Sequence, residues 1–307
     1  MKRKIKPLIV GFSVLIVLLC GVFGNSVMKW RGHTMTRDGQ PASSEESIVN
    51  VPILCYHHLI DSGEAGGVLM TVPVFTEQMK ALKAAGYEPV DIRQMRDFVE
   101  KGSRLPEKPA LITFDDGYES FYTLAYPILK ELDFKATVFV IGVSIGSKDT
   151  YKDTGLPITP HFSLDEAREM TASGLITVAS HGYDVHEVEG VDPDPVRRGL
   201  LIKEGESEEE YAEFLTADAL HMRELLGESA GFFAYPYSCH DSRSLAILAR
   251  AGVFATVCLD NQEADNYLVK GIPQCLYDMP RFMVTEDTTG EQLIDTIRSY
   301  DSTVKIP

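Results

Sequence analysis

The stretch that decides the fold is Leu111-Ile112-Thr113-Phe114-Asp115-Asp116-Gly117-Tyr118, a short apolar run that stops at two adjacent carboxylates and a glycine. The run predicts a buried strand, and adjacent side chains on a strand point to opposite faces. Asp115 and Asp116 can therefore serve one site only if the strand ends there and the backbone turns, which Gly117 permits. Two crowded carboxylates repel each other unless a cation or a shared proton relieves them. A solvated turn is the simpler interpretation of this motif when it is taken alone.

Outward from this stretch, short apolar runs alternate with helical patterns about seven times. The predicted strands cover residues 51–56, 110–114, 136–141, 175–179, 232–235 and 253–258. The predicted helices cover residues 75–85, 164–172, 207–226, 242–251 and 291–300, and another ends near Leu132. The strands are continuous apolar runs, which are typical of parallel strands buried on both faces. We therefore predict an α/β fold in which the strands form a closed or nearly closed barrel. An open doubly wound sheet is the alternative, although no glycine-rich loop follows any strand.

The N-terminus differs in kind from the rest of the chain. Four cations precede an uncharged apolar run at residues 8–24: Lys2, Arg3, Lys4 and Lys6. This pattern predicts a signal-anchor or signal peptide at residues 1–24, with the cations on the cytoplasmic side. The remainder is then extracytoplasmic, held at the cell membrane by one pass, or secreted if the signal is cleaved after Gly24. A lipoprotein signal is a third alternative, but Leu19 lies before Cys20, where a small residue is normally needed. Residues 25–50 have the composition of a linker, which leaves residues 51–307 as the folded domain.

Composition narrows the classes of function. The chain has 307 residues, 44% of them hydrophobic and 24% charged, which is ordinary for a folded globular protein. Its net charge of −16 argues against nucleic acid as a partner. Cysteines 55, 239, 258 and 275 are widely spaced, which argues against a structural zinc knuckle. They are interpreted as buried small apolar residues, although export permits a disulfide whose pairing the sequence does not specify.

A pair of histidines changes the interpretation of the two aspartates. Residues 180–186 read Ser-His-Gly-Tyr-Asp-Val-His and follow a predicted strand. His181 and His186 are five residues apart, a spacing that brings them together only on a loop, and Gly182 allows such a turn. Two histidines at one strand end and a carboxylate at another suit a metal site with open positions for water and substrate. In a barrel, the candidate polar residues gather at the carboxyl ends of the strands. These residues are His57, Asp115, Asp116, His181 and Tyr237.

The motifs resemble those of a known family. Residues 113–118 resemble the first motif of the NodB-homology polysaccharide deacetylases, carbohydrate esterase family 4. His181 and His186 look like its second motif, and Tyr235-Pro236-Tyr237 resembles its third, so that the resemblance covers roughly residues 51–300. It implies a distorted (β/α)7-type barrel that removes acetyl groups from N-acetylated sugars with one divalent metal ion. Zn²⁺ is the implied metal, with Co²⁺, Ni²⁺ or Fe²⁺ as alternatives.

The chain departs from the common family pattern in four places. The histidine spacing is five rather than four, Tyr235 lies where an arginine is common, and Ser238 lies where a glycine is common. The late Leu-x-His motif, which supplies the catalytic acid, is not found near the C-terminus. The longer spacing and the early pair Tyr56-His57 are similar to the branch that acts on poly-N-acetylglucosamine. In that branch an N-terminal histidine replaces the late one.

The resemblance implies a role for each motif residue. Three side chains would hold the metal: Asp116, His181 and His186. Asp115 would be the general base and His57 the acid. His57 and His58 point oppositely on a strand, so only one should reach the site, and the resemblance favours His57. The backbone N–H of Tyr237 would stabilise the oxyanion together with the metal. Arg281 either orients Asp115 or another site carboxylate, or is a surface arginine.

Together, these observations predict a membrane-anchored, extracytoplasmic, metal-dependent deacetylase of a glycan that contains N-acetylglucosamine, of the poly-N-acetylglucosamine type. The partners are the N-acetylated glycan and, through residues 1–24, the membrane. Peptidoglycan is the alternative substrate. A non-catalytic glycan-binding relative is a second alternative, but it predicts a missing ligand or base, and none is missing. A third is an amide hydrolase for small molecules, against which the anchor and linker argue.

Overall fold

The computed structural model describes residues 47–152, 154–259 and 265–301. The strands are β1 Ile48–Asn50, β2 Ile53–Tyr56, β3 His58–Ile60, β4 Leu69–Thr71, β5 Glu88–Pro89, β6 Pro109–Phe114, β7 Ala136–Val140, β8 Ile176–Ser180, β9 Phe232–Ala234, β10 Ala255–Leu259, β11 Tyr267–Val269 and β12 Met279–Met283. The α-helices are α1 Val72–Ala84, α2 Ile92–Lys101, α3 Tyr126–Leu132, α4 Leu164–Ala172, α5 Glu208–Leu226, α6 Ser242–Arg250 and α7 Gly290–Asp301.

Seven of these strands close into a parallel barrel. Its order is β2-β12-β10-β9-β8-β7-β6, and the pairing of β6 with β2 closes the ring, while β5 is added beside β6. The extent of strand pairing varies around the barrel: β7 and β8 pair along five residues, whereas β8 and β9 pair along one. The predicted α/β barrel is therefore confirmed, and the open doubly wound sheet is excluded.

The buried apolar runs explain why the strands lie between two layers of side chains. Every residue of β6, β7 and β8 is buried. Along β6, Leu111 packs in one hydrophobic cluster with Phe139 and Phe232, whereas Ile112 packs in another with Phe121. Successive strand residues thus face opposite sides, and both sides are covered, as the parallel pattern requires.

The seventh barrel strand, β12, is the largest difference from the sequence prediction. Its sequence is Met-Pro-Arg-Phe-Met, in which Pro280 lacks a backbone donor and Arg281 interrupts the apolar run. Both residues are unfavourable in a central strand, so the local pattern does not indicate one. The strand forms because β10 and β2 flank it on both sides.

Three smaller differences concern element boundaries. Residues 48–50, assigned to the linker, form β1, which pairs antiparallel with β11. The helix predicted to end near Leu132 begins as a π-helical turn, Phe121–Ala125, and continues as α3 with Pro127 in its first turn. The elements absent from the prediction include α2 and β3. The buried residues of α2, Ile92, Met95, Phe98 and Val99, recur at helical spacing, whereas β3 has three residues, too few to show a strand pattern.

The predicted membrane segment at residues 1–24 lies outside the described residues, as does most of the linker. Within the described part of the chain, no helix combines the length and apolar character needed to cross a membrane. The four cysteines of this part, at positions 55, 239, 258 and 275, are free thiols.

Candidate active site

The two aspartates face one site because the backbone adopts a left-handed conformation directly after β6. Asp116 has a φ of +71° and Gly117 a φ of +83°, so two consecutive residues adopt the left-handed conformation. A Cβ atom on Gly117 would lie 2.8 Å from Cγ1 of Val140, which leaves room for glycine alone. Asp115 is buried, and Asp116 is partly exposed. The strand end thus presents both carboxylates, as the sequence predicted.

Asp116, His181 and His186 form a preassembled set of metal donors. The Oδ1 atom of Asp116 lies 3.6 Å from Nε2 of His181 and 3.8 Å from Nε2 of His186. All three donor atoms lie within 4.8 Å of one another. Ligands at about 2.1 Å from one tetrahedral ion would be about 3.4 Å apart, so small adjustments suffice to bind one. The donor set therefore fits a single divalent ion.

Hydrogen bonding and burial prepare both histidines to bind a cation. Nδ1 of His181 donates to the carbonyl oxygen of Ala234 at 2.8 Å, so this nitrogen carries the proton and Nε2 keeps its lone pair. Burial, together with the nearby His181, lowers the pKa of His186 to about 4. His186 is therefore a neutral imidazole at neutral pH, the form that binds a metal.

A tight loop brings the two histidines together despite their spacing of five. Gly182 has a φ of +83°, and a Cβ atom there would lie 2.1 Å from Cγ2 of Val185. Asp218, buried on α5, accepts hydrogen bonds from the backbone nitrogens of Tyr183 at 2.9 Å and Asp184 at 2.7 Å. The loop conformation thus depends on a carboxylate from a distant helix.

We expect Asp218→Asn to weaken metal binding by about 10–100-fold, because an amide cannot accept both backbone hydrogen bonds and the ligand loop loses its support. Chelator competition with the purified protein measures the affinity. Glu213→Gln, an exposed change on the same helix, is the control. Equal affinities in both variants would show that the loop holds its ligands without Asp218.

Asp115 is held by a buried arginine. Arg281 donates from Nη1 to Oδ1 at 2.6 Å and from Nη2 to Oδ2 at 2.7 Å. Burial alone would raise the pKa of Asp115, but the guanidinium and the nearby His181 hold the pKa well below its usual range. Asp115 is therefore ionised at neutral pH. The prediction that Arg281 orients Asp115 is confirmed, and the alternative of a surface arginine is wrong, since Arg281 is fully buried.

The two histidines after β2 point apart, and only His57 faces Asp115. The Nε2 atom of His57 lies 3.9 Å from Oδ2 of Asp115. His58 instead shares a 2.7 Å hydrogen bond with the hydroxyl of Ser120, and its ring packs against Tyr118. His57 therefore lies at the site, whereas the side chain of His58 is bonded to Ser120 and packed on Tyr118.

The third motif lies beside the histidine loop. The ring of Tyr237, half exposed, packs on His186 with 4.3 Å between centroids, and its hydroxyl donates to the carbonyl of Glu187 at 3.1 Å. Tyr237 also has a left-handed backbone, with a φ of +55°. Tyr235 is buried and directs its hydroxyl to Asp278 at 2.8 Å. The arginine at the site thus comes from β12 rather than from this motif.

Sequence reasoning missed two residues at the site, and each carries a recognisable signal. The Cys55 thiol donates to Oδ2 of Asp115 at 3.7 Å. Cys55 and His57 are alternate residues at the end of β2, a spacing that puts both side chains on one face. Asp218 lies at helical spacing with Leu215 and Met222 on the buried side of α5. A lone acid on an apolar helix face indicates a buried partner.

Comparison with known proteins identifies a family relationship over half of the chain. The family model described as polysaccharide deacetylase matches residues 102–256. The chain is 36% identical over 150 residues to the Bacillus subtilis protein YxkH, covering 48% of each. It is 29% identical over 216 residues to a poly-beta-1,6-N-acetyl-D-glucosamine N-deacetylase of Escherichia coli, covering 65% of this chain and 32% of that protein. The chain thus spans a third to a half of the length of these curated relatives.

Solved structures share the fold. A de-N-acetylase from Aggregatibacter actinomycetemcomitans superposes with a TM-score of 0.67 at 22% identity, over 81% of this chain and 100% of the other. IcaB from Ammonifex degensii superposes with a TM-score of 0.63 at 26% identity, over 80% of this chain and 96% of IcaB. At 22% identity, the likeness to the Aggregatibacter structure concerns the fold alone.

Proposed function

Since this chain belongs to the polysaccharide deacetylase family, we propose that it is a metal-dependent hydrolase that removes N-acetyl groups from an extracytoplasmic polysaccharide containing N-acetylglucosamine. One observation carries the proposal. Three metal donors, Asp116, His181 and His186, lie beside Asp115, which a buried arginine keeps ionised. Amide hydrolysis needs such a pairing of a cation site with a positioned base.

The poly-N-acetylglucosamine type is the preferred substrate class. The five-residue histidine spacing and the early Tyr56-His57 pair support this choice. The Escherichia coli relative and the IcaB structure, at 26% identity, support it as well. We further propose that the domain works outside the cytoplasm, held at the cell membrane by residues 1–24 or secreted if that segment is cleaved. The charge pattern of residues 1–24 supports the location.

The donor set determines which cation the site suits. Two imidazoles and one carboxylate suit Zn²⁺, with Co²⁺, Ni²⁺ and Fe²⁺ as alternatives. A divalent ion bound there would lower the pKa of a water molecule to about 7 and polarise the amide carbonyl. The site contributes the ligands Asp116, His181 and His186, and the Ala234 carbonyl orients one of them.

The remaining residues move protons and hold charge. Asp115 accepts a proton from the attacking water as the new C–O bond forms, and its bidentate bond to Arg281 fixes its direction. The Tyr237 N–H donates to the oxyanion, a contribution of about 10²–10³ in rate for one such donor. His57 donates a proton to the amine nitrogen as the C–N bond breaks, so that acetate and a free amine leave.

The proposal is tested by amine release from β-1,6-linked N-acetylglucosamine oligomers and from peptidoglycan, with the purified full chain. We expect metal-dependent release from the oligomers, loss of release after chelation, and none from His181→Ala. Preferential release from peptidoglycan would overturn the substrate class. Binding of oligomers without any release, in protein that retains its metal, would indicate a non-catalytic glycan-binding protein.

A further inference from the structure

A second cluster of metal-binding side chains lies next to the proposed catalytic residues. It consists of Cys55, His57 and Asp115, whose donor atoms lie within 4.8 Å of one another. The thiol sulfur is 3.7 Å from Oδ2 of Asp115, and Nε2 of His57 is 3.9 Å from the same oxygen. Deacetylation as proposed above uses two of these residues but assigns no role to the thiol.

The barrel itself assembles this cluster. In β2 and β6, Cys55 aligns with Thr113 and Tyr56 with Phe114, so His57 and Asp115 follow at neighbouring positions beyond the paired strands. Cys55 and His57, two residues apart, face the same side. Closure of β2 onto β6 therefore brings the three donors to one point without any contribution from a flexible loop.

The distances between the donor atoms of this cluster are close to those between the ligands of a bound metal ion. Zinc binds sulfur at about 2.3 Å, imidazole nitrogen at about 2.0 Å and carboxylate oxygen at about 2.1 Å, which places tetrahedral ligands about 3.3–3.6 Å apart. The observed 3.7 and 3.9 Å need only small movements. Oδ2 of Asp115 accepts one hydrogen bond from Arg281 and keeps a second lone pair. The fourth position remains for water.

We propose that Cys55, His57 and Asp115 form a second, inhibitory site for a thiophilic divalent ion such as Zn²⁺ or Cd²⁺. A thiolate ligand selects soft ions, whereas the donors Asp116, His181 and His186 include no sulfur. Binding releases the thiol proton of Cys55 to solvent as the metal–sulfur bond forms. The positive charge of Arg281 weakens the binding of a cation here, so this site fills after the first and only in excess metal. Under the proposed function, an ion there occupies the base and the acid together.

Cadmium binding tests the site directly on the metal-free full chain. We expect Cd²⁺ titration to produce an ultraviolet thiolate-to-metal absorption and to saturate at two ions per chain. Cys55→Ser should lose the absorption and one ion. Cys275→Ser, a partly buried cysteine bonded to the Val269 backbone, is the matched control and should keep both. Asp116→Ala should keep the absorption while losing one ion.

The outcomes separate the possibilities. If Cys55→Ser does not fold, Cys55→Ala replaces it, and His57→Ala should also raise the Cd²⁺ concentration needed for the absorption. An absorption that Cys55→Ser leaves intact, or wild-type protein without one, would overturn the site. Because this measurement needs no turnover, a chain that bound Cd²⁺ through Cys55 but released no amine would contradict the proposed function and not the second site.

Zinc inhibition tests the consequence. Amine release by the wild type should rise with Zn²⁺ and then fall, with each variant normalised to its own maximum. Loss of a group that merely orients a ligand costs about 10–100-fold in affinity, so loss of the thiolate should raise the inhibitory zinc concentration by at least about tenfold. An inhibitory concentration unchanged in Cys55→Ser would show that zinc inhibits elsewhere.

Discussion

Asp115→Asn is expected to retain the metal while losing about 10²–10⁴-fold in turnover, because it removes the proposed base without removing a metal donor. Asp115 lies outside the donor set of Asp116, His181 and His186, and its two oxygens are bonded to Arg281. Amine release measures the turnover, and metal analysis of the same sample measures the occupancy.

Asp116→Asn is the matched comparison, since it changes the neighbouring carboxylate in the same way. It should lower metal content and activity together, because an amide replaces the only carboxylate donor of the set. Equal metal loss in the two variants would contradict the division between base and ligand. Full activity of Asp115→Asn would exclude Asp115 as the base.

The stability of Asp115→Asn needs its own control, because the change leaves Arg281 buried without a counter-ion. Breaking a buried pair in this way costs about 3–5 kcal/mol in the free energy of unfolding. The double variant Asp115→Asn/Arg281→Met removes both charges and should recover much of that loss. Its amine release should still be about 10²–10⁴-fold below that of the wild type, so that the loss of activity can be distinguished from the loss of stability.

His57→Ala should lose about 10²-fold or more in amide hydrolysis while it keeps its metal. A sugar amine is a poor leaving group unless it is protonated, and His57 is the histidine that faces Asp115. Hydrolysis of an activated aryl acetate should fall much less, because its leaving group needs no proton. The ratio of the two rates is the diagnostic measurement.

His58→Ala is the control, since the adjacent histidine is bonded to Ser120 and packs on Tyr118. Its two rates should change together, if they change at all. Equal losses on both substrates in His57→Ala, with metal retained, would mean that His57 has a structural role. The acid would then have to be another group.

Six of the seven barrel strands could be predicted from local apolar runs in the sequence. The run ending at Phe114 is buried throughout, and the six predicted strands are all strands of the barrel. A strand buried on both faces needs a continuous apolar run, so its own residues are enough to indicate it. The exception, β12, contains Pro280 and Arg281 and depends on its neighbours, so no local pattern indicates it.

By itself, the sequence determined the α/β class and the residue types at the strand ends, because apolar runs and the polar residues directly after them are local features. Only the tertiary structure decided which of these residues meet. Arg281 reaches Asp115 across 166 positions of the chain, and Cys55 reaches it across 60. Such contacts depend on which strands become neighbours when the barrel closes. That closure is a property of the whole packed sheet, and no single stretch of the chain specifies it.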